Sequence, residues 1–172
     1  MSSDERSIRR IAVLGNHLPR QCGIATFTTD LSNAIASVGS DLDCFVLAMN
    51  DGRHQHAYPP RVRFELRDND PGAYTRAADF LNVNAVDVMC VQHEYGIFGG
   101  KAGSQLLPLL RELRMPIVTT LHTILSAPNL NQRRVMDEIV RPTARALPPS
   151  RRIRSPRRRA ARSSAAPSSW RT

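Results

Sequence analysis

The sequence predicts an α/β domain: a parallel sheet with helices on both faces. Three observations predict it. Short continuous apolar runs recur along residues 9–140, stretches with apolar residues three and four apart separate most of them, and Gly- or Pro-containing loops mark the joins.

Ile11-Ala12-Val13-Leu14, ending at Gly15, reads as a strand buried on both faces. After a loop over Asn16 to Gly23, the residues Ile24, Phe27, Leu31, Ile35 and Val38 mark one face of a helix closed by Gly39. Leu42 to Met49 is a second apolar strand. Val62, Phe64 and Leu66 alternate with Arg63 and Glu65, the period of two expected of a strand near a sheet edge. Tyr74, Ala77, Ala78 and Leu81 follow Pro71-Gly72 and give another helical face. Val86 to Val91 is again a strand, and Gly96, Gly99, Gly100 and Gly103 punctuate the loop after it. Leu106, Leu109, Leu110 and Leu113 point to a helix in which Pro108 should cost a hydrogen bond or a bend. Ile117 to Leu121 is the last strand, and Leu130 to Val140 a helix ending before Pro142.

The overall charge of +9 points to a nucleic-acid or membrane binder, but it is unevenly spread. Of the 24 Lys and Arg, ten are arginines in residues 141–172, which hold no acid. This leaves 14 against all 15 Asp and Glu in residues 1–140, a net of −1. Residues 1–8 read as a flexible N-terminus and residues 9–140 as the folded domain. The Arg-, Pro-, Ala- and Ser-rich segment 141–172 reads as a disordered basic tail, since it cannot bury enough apolar surface to offset ordering entropy. Cys22, Cys44 and Cys90 are odd in number and widely spaced. They read as reduced thiols and point to a cytoplasmic protein. The charged start lacks the apolar stretch of a signal peptide, and no apolar run has membrane-spanning length.

In a parallel sheet, ligands gather beyond the carboxyl ends of the strands. Three loops therefore carry the candidate chemistry. In the first, Gly15 to Gly23, the start of the following helix attracts an anion such as a phosphate, with Gly23 and Ile24 at that start and Arg20 adding charge. It is neither G-x-G-x-x-G nor a Walker pattern, and many such loops carry a glycine for turn geometry only. In the second, Gln92-His93-Glu94-Tyr95-Gly96-Ile97-Phe98-Gly99-Gly100, Glu94 can act as a base or accept from sugar hydroxyls, and Tyr95 and Phe98 form apolar platforms. The competing reading is that His93 and Glu94 only satisfy loop backbone groups. Ile97 stands where H-E-x-x-H needs its second histidine, so no zinc site is expected. In the third, His122 leaves the last strand, where it can donate to a phosphate or a sugar hydroxyl.

Leu18-Pro19-Arg20-Gln21-Cys22-Gly23-Ile24-Ala25-Thr26-Phe27-Thr28, Val91 to Gly100 and Val118-Thr119-Thr120-Leu121-His122-Thr123 occur in this order. Together they resemble the N-terminal half of bacterial family-4 glycosyltransferases of the two-Rossmann-domain (GT-B) type. The resemblance implies a Rossmann-like acceptor-side domain and retaining transfer of a sugar from a nucleotide-sugar donor to an acceptor hydroxyl, with no metal. It implies that Gly23, Ile24 and Arg20 face the donor phosphates. His122 would sit against the donor sugar, and Glu94, His93, Tyr95, Gly99 and Gly100 would line the cleft. The second domain of that group, with its glutamates eight positions apart, has no counterpart in these 172 residues. We read the tail as a shifted frame or an unrelated fused end, and the chain as inactive alone.

Two alternatives stand beside this reading. One is a non-catalytic small-molecule binding domain, which fold cannot exclude. The other is non-specific nucleic-acid binding through the tail. Deleting residues 141–172 is expected to abolish salt-sensitive retention of nucleic acid in a gel-shift assay at about 50 mM salt. Undiminished retention by the shortened chain would place the affinity in the net-negative body and refute the reading.

Overall fold

In a computed structural model, residues 7–52 and 55–145 are described, with the side chains of residues 142–145 left out. Five strands form one parallel sheet in the order β3-β2-β1-β4-β5. They are β1 (Arg10–Gly15), β2 (Asp43–Asn50), β3 (Val62–Arg67), β4 (Val88–His93) and β5 (Ile117–Leu121). The helices are α1 (Gly23–Ala36), α2 (Pro71–Val83), α3 (Leu106–Glu112) and α4 (Leu130–Arg145), with a 3₁₀ turn at Lys101–Gly103. The arrangement is Rossmann-like, as the alternation of apolar runs and helical stretches predicts.

Alternation along each strand divides the core in two. Ala12, Leu14, Phe45, Leu47, Met49, Met89, Val91 and Ile117 face the layer made by α2, α3 and α4. Val13, Cys44 and Val46 face the other way, where Leu31, Ile35 and Ala36 of α1 pack on them. Ala12, Val13 and Leu14 are all fully buried, which explains why β1 reads as an unbroken apolar run. β3 lies at one edge, in keeping with its alternating pattern. Among the described residues β5 is the other edge, and its Val118 lies 54% exposed.

The local choices agree with these boundaries. Pro71 starts α2, where its missing N–H has no helical partner to lose. Tyr74, Ala77, Ala78 and Leu81 form its buried face as predicted. Asn129 and Gln132 cap α4 reciprocally: the Gln132 N–H donates to Asn129 Oδ1 at 3.0 Å and the Asn129 N–H to Gln132 Oε1 at 2.9 Å. At the opposite end of the sheet, Asp87 accepts from the N–H groups of Arg9 (2.9 Å) and Arg10 (2.8 Å), which fixes the entry of β1 beside β4 and lowers the Asp87 pKa.

Three local expectations change. Pro108 lies in the first turn of α3, where N–H groups have no intrahelical acceptor, so it removes no hydrogen bond. Helix α4 does not stop before Pro142 but runs to Arg145, so the start of the expected tail is helical. In α1 the fully buried positions are Ala25, Thr28 and Ser32, whereas Phe27 stays 43% exposed and Val38 lies beyond the helix. Small residues let α1 approach the sheet closely, and the larger apolar ones flank the contact. The expected flexible start (residues 1–6 of it) and the tail from residue 146 lie outside the described residues.

The β4–α3 loop is locked to the α2 side of the molecule. The Gly99 N–H donates to the Tyr74 hydroxyl at 3.1 Å, and that hydroxyl reaches the Asp68 carbonyl at 3.4 Å. A Cβ on Gly99 would stand 1.8 Å from the Asp68 carbonyl oxygen, an approach only glycine allows. Gly99→Ala is therefore expected to destabilise the fold by about 1–3 kcal/mol, read as a lower urea midpoint. An unchanged midpoint would contradict this packing.

Candidate functional site at the strand exits

Because all five strands run the same way, Gly15, Asn50, Arg67, His93 and Leu121 all end at one rim. The three loops singled out in the sequence leave from that rim. Three contacts join them. Phe27 in the second turn of α1 stands edge-on to His122, with ring centroids 5.0 Å apart. The His122 N–H donates to the His93 carbonyl at 3.0 Å. The Thr123 hydroxyl donates to Glu94 Oε2.

The first loop builds an open helix start. Cys22 is the N-cap of α1, and its sulfur accepts from the Ala25 N–H at 3.4 Å and from Asn16 Nδ2 at 3.2 Å. The first intrahelical bond runs from the Thr26 N–H to the Cys22 carbonyl at 3.2 Å. Gly23 and Ile24 lie ahead of it, so helix geometry gives their N–H groups no internal acceptor. A Cβ on Gly23 would meet nothing within 4 Å, so packing does not require glycine there. Arg20 does not stand alone beside this helix start: its guanidinium lies 3.4 Å from Asp51 at the exit of β2.

His122 is aimed by a residue that the sequence did not single out. Gln92 is 1% exposed, and its Oε1 lies 3.0 Å from His122 Nε2. With the amide oxygen facing the ring, Nε2 carries the proton and Nδ1 is the unprotonated nitrogen of the neutral ring. Neutral, Nδ1 accepts from a hydroxyl; protonated, it donates to a phosphate. Gly15 makes this possible, since a Cβ there would meet Thr28 Oγ1 at 2.8 Å and the Gln92 Cβ at 3.0 Å.

Other expected site residues stand differently. Glu94 is half-buried, and both its oxygens are engaged, Oε1 by the Tyr95 N–H at 2.9 Å and Oε2 by Thr123. It clasps two loops together, which is close to the competing reading made for it. The expectation that His93 lines the cleft is corrected: it is 0% exposed, stacked on Phe98 (6.0 Å, 17°) and covered edge-on by Tyr95 (5.0 Å). The cause is strand parity, since His93 shares its face with the buried Met89 and Val91. Tyr95, half-buried, serves as its cover. Gly99 is corrected likewise. It docks on Asp68 as described, whereas Gly100 is exposed at φ +80°, where a Cβ would stand 2.7 Å from the Ser104 Oγ.

Comparison of the chain with protein-family models, curated proteins and solved structures returns no match. The class of the molecule rests on its own fold and rim: an α/β domain of Rossmann-like arrangement with a helix start, a histidine and a bridged carboxylate at one strand-exit edge. No helix among the described residues is long and apolar enough to cross a membrane.

Neither ring nitrogen of His93 has a hydrogen-bond partner, and burial pushes its pKa below the usual histidine range. The unfolded chain then binds a proton at a pH where the native one does not. This proton linkage takes nothing from stability above the unfolded pKa of about 6.5, and stability falls as pH drops below that, at up to about 1.4 kcal/mol per pH unit. Urea midpoints measured from pH 7.5 to 5 should show this decline in the natural chain and a shallower one in His93→Phe. Equal slopes would contradict a neutral buried imidazole.

Proposed function

We propose that this domain is the acceptor-side half of a retaining GT-B glycosyltransferase, which moves a sugar from a nucleotide donor to an acceptor hydroxyl. One observation carries the reading: the three segments that resemble that group converge, with α1 packed through Phe27 onto a His122 that Gln92 holds in place. The resemblance supplies the chemistry, and the contacts support the reading by bringing these segments to one rim.

In this reading the donor diphosphate lies against the Gly23–Ile24 helix start, whose N–H groups and dipole favour an anion. Arg20, held by Asp51, adds positive charge nearby. His122 presents Nδ1 to the donor sugar. In the transfer the bond from the sugar's anomeric carbon to the diphosphate oxygen breaks. A bond from that carbon to the acceptor oxygen forms with retained configuration, and the acceptor proton leaves with the diphosphate. Preorganised donors stabilise the departing charge without a metal ion. Glu94, already holding Tyr95 and Thr123, acts by fixing the two loops that frame the sugar. One α/β unit makes one wall of such a crevice, and a transition state that needs both walls loses most of its stabilisation on one. Residues 1–172 alone are therefore expected to bind weakly and not to turn over.

Titration of the isotope-labelled chain with UDP, GDP and ADP tests this. At least one should shift the amides of Gly23, Ile24 and Ala25 together with the ring signals of His122, and Gln92→Ala should change the tautomer signature of His122. Shifts confined to other regions would overturn the reading, as would robust transfer from any nucleotide sugar by this chain.

A further inference from the structure

A second polar site lies on the same rim, at the exits of the two strands on the far side of β1. A cavity of about 310 Å³ is lined by Asn50, Gly52, Gln55, His56, Glu65 and Arg67. That volume is at the small end of the range for small-molecule sites. Asn50 is committed: its Nδ2 donates to Glu65 Oε2 at 3.3 Å and its Oδ1 accepts from the Gly52 N–H at 3.0 Å. It braces the carboxylate and the turn. Glu65 and Arg67 are two apart on β3 and so share a face, one an acceptor and the other a donor. A hydroxyl both donates and accepts, so this pairing suits a ligand with neighbouring hydroxyls.

A wall of rings leads from the cavity to the first loop. His56 and Tyr58 lie 5.5 Å apart, and Tyr58 meets His17 edge-on at 6.3 Å. Along that wall three buried polar atoms have no hydrogen-bond partner: the Tyr58 hydroxyl, His17 Nε2 and Asn16 Oδ1. His17 and Asn16 are each 2% exposed. His17 Nδ1 lies 2.6 Å from the Leu18 carbonyl oxygen, which makes Nδ1 the protonated nitrogen and Nε2 an acceptor. Asn16 Oδ1 is also an acceptor. These atoms are enclosed, so Tyr58, His17 and Asn16 form the packed back of the cavity and not its lining. The Arg20–Asp51 pair ties this wall to the start of α1.

We propose that the cavity at the exits of β2 and β3, backed by the Tyr58–His17 wall, forms a binding site for a polyhydroxylated ligand of sugar or polyol type. Glu65 and Arg67 engage its hydroxyls, and the His56 ring lines one side of the cavity against it. Naming that ligand the transfer acceptor rests on the glycosyltransferase reading; the pocket's hydrogen-bonding chemistry does not.

The test uses the full isotope-labelled chain titrated with methyl α-D-glucopyranoside and with myo-inositol. At least one probe should shift the amides of Asn50, Gly52, Tyr58, Glu65 and Arg67 in a saturable way. Arg67→Gln should weaken that binding about tenfold, close to 1.4 kcal/mol, with no loss of thermal stability, because its side chain is exposed at the rim. Glu65→Gln, an exposed and isosteric change, should weaken it as well. Saturable shifts that both variants leave unchanged would overturn the site, as would no shift with either probe. A chain that answers to a hydroxyl probe but to no nucleoside diphosphate keeps this pocket and loses the glycosyltransferase reading. The reverse result loses the pocket and keeps that reading.

Discussion

Helix α1 meets the sheet over Gly15, where any side chain would press on the Thr28 hydroxyl and on Gln92. Close approach at this point governs much else. It requires small residues on the inner face of α1, and Ala25, Thr28 and Ser32 meet that requirement. It brings the second turn of α1 over the exit of β5, so that Phe27 reaches His122. It also leaves Gln92 enclosed between α1 and the neighbouring strand, where its amide can do little but hold the imidazole. A bulkier residue at the end of β1 would lift the helix and undo these contacts together, since packed interiors do not deform smoothly.

The rim divides into two halves of different character. On the β4–β5 side, contacts between loops are many and specific: a carboxylate shared by Tyr95 and Thr123, an amide on a histidine, and a glycine seated on Tyr74. Those contacts keep the two loops rigid, while both ring nitrogens of the buried His93 beneath them stay unpartnered. On the β2–β3 side, polar groups are buried or clustered around open space, and several lack partners. A site that must orient a reacting group needs the first character, and a site that recognises a ligand by its hydrogen bonds can use the second.

Much of the fold was legible because its signals are local. Continuous apolar runs marked β1, β2, β4 and β5, and the alternation of Val62, Phe64 and Leu66 marked an edge. The errors came where neighbours in space decide. The apolar stripe on α1 named Phe27 and Val38, but the sheet selected Ala25, Thr28 and Ser32 because it needs proximity more than apolar bulk. Pro142 is a poor helix residue, yet α4 continues past it, held earlier by buried Val135 and Ile139. In the site, His93 was expected to line the cleft and Gln92 was not singled out. Parity could have separated them: Met89, Val91 and His93 fall on the core face, and Gln92 on the face of α1. The pocket of Asn50, Glu65 and Arg67 left no mark in the chain, since it joins two strands through residues that are ordinary one by one. Cys22 as a cap was hidden for another reason, thiols being uncommon in that role.

The outer margin of β5 has a bearing on handling the protein. Its backbone N–H and C=O groups on that side have no neighbouring strand among the described residues, and Val118 adds an apolar side chain on the face that α1 leaves bare. Such a margin can be copied by any extended peptide, including the same margin on another molecule. Concentrated solutions therefore carry a built-in route to strand-by-strand association. A charged residue at position 118 would discourage that route without entering the interior.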